Sequence, residues 1–79
     1  MPRYRFNIDN GIGFVADEEG RELPDLAVAR AEGMKGIRSI LAEDVLNGRL
    51  DLKGRLDVVG QDGNILLTIS FAEAVEVSR

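Results

Sequence analysis

The chain has 79 residues, a net charge of −4, 44% hydrophobic and 30% charged residues, and neither cysteine nor histidine. Those absences exclude disulfides, thiolate catalysis, His-dependent triads and cysteine or imidazole metal sites. The length leaves room for one small α+β domain over residues 1–79, and with 5% aromatics its core must come from Leu, Ile and Val. The acidic balance opposes nonspecific binding to polyanions. No apolar run approaches the ~20 residues needed to span a bilayer. Met1-Pro2-Arg3-Tyr4-Arg5 lacks the apolar stretch of a signal peptide. No membrane association and a cytoplasmic location are therefore expected, and self-association is a natural remedy for so small a core.

Arg3 to Asp9 alternates, with Tyr4, Phe6 and Ile8 inward and Arg3, Arg5 and Asn7 outward, as on a strand with one buried face. Asn10-Gly11 marks a hairpin, because both residues tolerate positive φ. The return strand is Ile12 to Ala16. A two-residue turn pairs Phe6 with Val15, and a three-residue turn pairs Ile8 with Phe14. The two registers send opposite faces inward. Burying Phe14 gains more than burying Val15, so Phe14 is expected inward. Asp17-Glu18-Glu19-Gly20 reads as a second turn, with Gly20 left-handed.

After Leu23-Pro24-Asp25 the apolar spacing becomes helical, through Leu26, Ala27, Ala31, Met34, Ile37, Leu41 and Val45. The helix should start near Pro24, with Asp25 at the positive end of its dipole, and run to about Asn47 with Gly48 as the cap. Leu50 to Lys53 reads as a connector or early strand. Arg55 to Val59 is the third strand, Gly60 to Asn64 a turn, and Ile65 to Ser70 the fourth strand. There Ile65, Leu67 and Ile69 form the inward set, and Phe71 to Ala74 makes one helical turn. No repeat or low-complexity segment interrupts this order. The fold class is α+β, a two-layer β-β-α-β-β domain. A four-stranded, mainly antiparallel sheet carries one long helix on one face. The other face stays open, with Arg3, Arg5, Asn7, Arg55, Asp57, Val59, Leu66, Thr68 and Ser70 on it.

Several residues are candidates for interaction. Arg30 falls within the apolar helical stripe. It either aims at an anion or a nearby carboxylate, or lays its stem along the core edge with its guanidinium in water; the second is preferred. Arg3, Arg5 and Arg55, with Lys53, could form a basic row on the open face, but Tyr4 and Phe6 point the other way, which removes the stacking such a row needs. Gly33-Met34-Lys35-Gly36-Ile37 resembles the GxxG loop of KH nucleic-acid-binding domains. The preferred reading is a continuous helix with Ala29, Gly33, Gly36 and Ile40 on one small-residue edge, open to close approach by the C-terminal turn or a second subunit. Asp17, Glu18, Glu19, Glu22 and Asp25 lack the spacing of a calcium loop and read as a solvated turn. Gly11-Ile12-Gly13 is too short for a phosphate loop. The segment from Asn64 to Phe71 has no charge, and Leu66 sits on its outer side. That strand or its outer face is expected to serve self-association.

The blocks Pro2 to Gly11, Asp17 to Leu26, Ala29-Arg30-Ala31-Glu32 and Asp62 to Ala74 resemble a family of short uncharacterised bacterial proteins, a domain of unknown function. The resemblance brings no catalytic residues. Tyr4, Gly11 to Val15, Leu23-Pro24-Asp25 and Ala27 to Ala31 are also similar to HicB-like antitoxins, which bind a small RNA-cleaving toxin and often carry a DNA-binding tail. That similarity implies a partner-binding module. The expectation is a non-catalytic protein-interaction or regulatory module with no cofactor and no metal, acting as a homo-oligomer or with a small protein partner. The alternative is RNA or DNA binding through Arg3, Arg5, Lys35 and Arg55 or through the Gly33–Gly36 segment.

Overall fold

The computed structural model describes residues 1–10 and 13–78. Its elements are β1 (Arg3–Asp9), β2 (Phe14–Val15), β3 (Arg21–Glu22), α1 (Leu26–Leu46), β4 (Arg55–Val59), β5 (Ile65–Ser70) and a 3₁₀ turn (Phe71–Ala74). The sheet runs β2-β1-β4-β5, all antiparallel, and β3 pairs with β1 beside β2. The β1 edge is thus covered by one strand in two pieces, and α1 lies across a single face.

Alternation sets that face. Phe6 stands opposite Val58, Ile8 opposite Leu56, and Leu56 opposite Ile69. Directly opposed residues share a side of the sheet, so these form the inner layer. Leu56, Val58 and Ile69 join Tyr4, Ala29, Ile37, Leu41, Phe71 and Ala74 in the buried cluster, with Phe6, Ile8, Met34, Ile40 and Leu67 packed against it.

The helix begins at Leu26, two residues after its proline. Asp25 has extended backbone, and its Oδ1 accepts from the Val28 N–H at 2.9 Å, so Asp25 is the N-cap. At the other end the Arg49 N–H donates to Asp44 O and the Gly48 N–H to Val45 O, both at 2.9 Å. Gly48 has φ +80°. This pairing, with a left-handed residue at its centre, is the Schellman ending that glycine permits.

The buried stripe of α1 is Ala29, Gly33, Ile37 and Leu41. It is rotated from the stripe expected through Leu26, Ala27, Ala31 and Val45, all of which are exposed. The reason is close packing: a Cβ on Gly33 would stand 3.2 Å from Ile69 Cδ1 and 3.3 Å from Leu56 Cδ2. The missing side chain is where the helix comes closest to the sheet, and that fixes the rotation.

Two registers differ from expectation. Val15 pairs with Ile8 and Phe14 with Asp9, so Phe14 takes the open side and is 60% exposed. The connection spans residues 10–13, longer than either turn considered. The Asn10 side chain accepts from the Gly13 N–H at 2.9 Å, and the Asn10 N–H donates to Gly13 O at 3.2 Å. That length moves the pairing, and a one-residue step exchanges the faces. The Asn10-Gly11 turn and the start of the return strand at Ile12 lie outside the described residues.

In β5, Leu67 pairs with Val58 while Ile65 pairs with Val59, so Leu66 has no partner. This bulge places Ile65 beside Val59 on the open face, 59% exposed, and not in the core as its alternation with Leu67 and Ile69 implied.

Residues 50–54 form no strand, and Gly54 passes under the Phe71 ring, with the Phe71 N–H donating to Gly54 O at 2.9 Å. The 3₁₀ turn closes with a capping box between Ser70 and Glu73.

Candidate interaction surface

The open face is built of cross-strand rows. Asp9, Arg55 and Ser70 form one, Asn7, Asp57 and Thr68 the next, and Arg5, Val59 and Ile65 the third. Asp57 is only 6% exposed although no described element is layered above it. Burying a carboxylate requires partners. Thr68 Oγ1 donates to Asp57 Oδ1 at 2.8 Å, and Arg55 Nε lies 3.7 Å from Asp57 Oδ2. Arg55 also reaches Asp9 at 3.6 Å. One guanidinium therefore serves two carboxylates. No buried side-chain polar atom among the described residues lacks a partner.

The free side of β1 is closed by Asp17. Its Oδ2 accepts from the Phe6 N–H at 3.2 Å, and its Oδ1 from Gly20 at 3.0 Å and Glu19 at 3.3 Å. Its own N–H donates to Asn7 Oδ1 at 2.9 Å. A side chain thus takes the Phe6 N–H that the gap between β2 and β3 would leave without a strand partner. Desolvation acts most strongly on this carboxyl and raises its pKa. The hydrogen bonds from Gly20, Phe6 and Glu19, with the nearby Arg21 charge, outweigh it and hold the pKa below the ordinary 3.8. Gly20 has φ +72°, and a Cβ there would stand 2.7 Å from Tyr4 O, so the turn passes against β1 where only glycine fits. Asp17 is thus a structural plug. Among the described residues no group of three or more Asp and Glu is placed to hold a metal ion.

The basic candidates divide between the sheet and the helix. Arg3 donates to Glu19 O at 2.8 Å and lies 3.5 Å from Glu22. Arg55 is held by Asp9 and Asp57. Arg5 is exposed on the open face, whereas Lys35 sits on α1, 3.8 Å from Glu32. Arg30 is exposed on α1, off the buried stripe. Arg3, Arg5 and Arg55 thus share the open face, two of them ion-paired, while Lys35 stands apart on α1. The helix runs unbroken through Gly33 and Gly36, so the GxxG loop does not form. Gly33 is filled by the sheet, while a Cβ on Gly36 would meet nothing within 4 Å. Of that small-residue edge, only Gly36 remains open.

The model for the Domain of unknown function (DUF6894) matches residues 3–72. The chain belongs to this family. The match runs from the first strand to the 3₁₀ turn, so the split edge, helix and bulged β5 all fall within it. No curated protein and no solved structure matches the chain.

Besides Phe14 and Val15 on β2, two apolar surfaces are exposed. One is the bulge, where Leu66, 46% exposed, lies over Gly60 and beside Ile65. The other is a groove of ≈ 640 Å³ between the end of α1, the Leu50–Leu52 segment and the tail Val75–Val77. Val45, Leu46, Leu50 and Val77 are all exposed along it. The sequence reading missed this groove. Val45 fits the expected buried stripe, and Leu46, Leu50 and Val77 belong to no periodic pattern. Three apolar residues clustered around a helix C-cap at Asn47-Gly48 were the signal available. No helix among the described residues is long and apolar enough to cross a membrane.

Proposed function

We propose that this chain is a non-catalytic protein-interaction module that self-associates. The supporting observation is contiguous exposed apolar surface, set beside a basic set that is partly neutralised within the chain. The cations Arg3, Arg21, Lys35 and Arg55 each lie within 4.0 Å of a carboxylate of the same chain. Contiguous exposed apolar side chains stand at the β5 bulge, Ile65 and Leu66, and in the α1 groove, Val45, Leu46, Leu50 and Val77, apart from Phe14 and Val15 on β2. Contiguous apolar surface of this kind marks contact sites. The acid–base chemistry available without histidine or cysteine would need clustered carboxylates or lysines, and Asp17 and Asp57 are committed to holding the sheet. The β5 side also offers a free strand edge to a small protein partner.

Salt dependence tests this reading. Association through apolar surface should hold nearly constant between low and high salt, and a polyanion column should not retain the protein. Steep loss of association with salt, or retention on the column, would overturn it in favour of nucleic-acid binding.

A further inference from the structure

The self-association reading leaves open which surface the copies use, and the groove at the end of α1 carries features that the β5 bulge lacks. Leu46 is 86% exposed, more than any other large apolar residue among those described. It stands on the rim of the groove that Leu41, Val45 and Val75 line. Knob and groove therefore lie on the same face of one chain. An isologous contact requires this arrangement, since each copy must offer both halves. Arg38 lies on the helix wall and Glu76 on the tail wall. Among the described residues neither is in an ion pair. The Arg38 Nε donates to Ala74 O at 2.6 Å, which ties the tail to the helix and fixes where this charge stands.

We propose that a second copy of this chain seats in this groove. Leu46 of each copy enters the groove of the other, and Arg38 of each faces Glu76 of the other. A two-fold axis turns two unlike unpaired charges into two complementary pairs. Other occupants fit less well. A small ligand needs several polar groups to orient it, and this lining is apolar apart from Arg38 and Glu76. A membrane surface favours a helix rich in lysine and arginine, whereas the chain carries a net charge of −4.

The test is light scattering across a concentration series on the full chain and its variants. Leu46→Glu changes an exposed side chain and should leave the fold intact, checked by circular dichroism. It should raise the dimer dissociation constant at least about tenfold, while Leu66→Lys leaves it unchanged. Arg38→Glu and Glu76→Arg should each weaken the homodimer. Mixed together, they should form a heterodimer, because each chain then presents the charges the other lacks. A damaged fold would not produce that rescue. An unchanged constant for Leu46→Glu, or no heterodimer on mixing, overturns the groove assignment. If Leu66→Lys alone dissociates the protein, self-association stands and the groove inference fails. A wild-type chain that stays monomeric at high micromolar concentration overturns both.

Discussion

Replacing each of the two helix glycines by alanine separates intrinsic helix preference from packing against the sheet. Both lie within α1, Leu26–Leu46, and alanine gains about 1 kcal/mol over glycine in a helix interior. At Gly36 an added Cβ would meet nothing within 4 Å, so Gly36→Ala should gain that amount in full. For a domain this small the melting temperature should rise by roughly 4–8 °C. At Gly33 the same gain is opposed. The methyl would lie 3.2 Å from Ile69 Cδ1 and 3.3 Å from Leu56 Cδ2, and both of those residues are fully buried. Overpacking a close-packed core costs about 1–3 kcal/mol, which leaves Gly33→Ala between neutral and about 2 kcal/mol less stable than wild type. Subtracting the variants removes the helix term and leaves the crowding alone, about 1–3 kcal/mol. Urea unfolding at one fixed protein concentration reads this difference, the concentration being held because association shifts apparent stability. Equal stability of the two variants would refute the close approach of α1 to the sheet at Gly33.

Three further outcomes follow from the same packing. Asp17→Asn replaces one acceptor oxygen with a donor facing backbone N–H groups and should cost about 1–3 kcal/mol. Because the folded-state pKa lies below 3.8, the wild-type carboxylate contributes fully above that value and loses its contribution as pH falls through the folded pKa. The gap between wild type and Asp17→Asn in thermal melts should therefore close below pH 3.8; a gap independent of pH would contradict the role given to this carboxylate. Gly54→Ala would set a methyl 2.7 Å from the Phe71 ring and should cost about 1–3 kcal/mol, so an unchanged melting temperature would place that ring elsewhere. Arg30→Met should alter stability by no more than about 0.5 kcal/mol, as at an ordinary surface position. A loss of about 3 kcal/mol or more, typical of a broken buried ion pair, would show that Arg30 is not a surface residue.

The elements whose own residues carry a period were legible. β1, β4, β5 and α1 announce themselves because Tyr4-Phe6-Ile8, Leu56-Val58, Leu67-Ile69 and Ile37-Leu41 repeat at strand or helix spacing. What escaped the sequence depends on contacts between distant residues. Asp17 read as one more acid in a charged turn, and only the fold brings its oxygens to the Phe6 N–H. The Leu66 bulge carries no glycine or proline to announce it, so Ile65 was placed in the core. The helix stripe is rotated because Gly33, expected on an edge open to the C-terminal turn or a second subunit, is where the sheet side chains Ile69 and Leu56 pack closest. The groove was invisible for a related reason: Leu46 and Val77 become neighbours only when the tail returns to the end of α1.

The central claim, association through apolar surface, is tested most directly by the molar mass of the wild-type protein, measured by light scattering from low to high micromolar concentration in low and high salt. The account predicts a mass rising to that of two chains, with the same midpoint at both salt levels. A mass of one chain throughout, or an assembly that dissociates as salt is added, would contradict it.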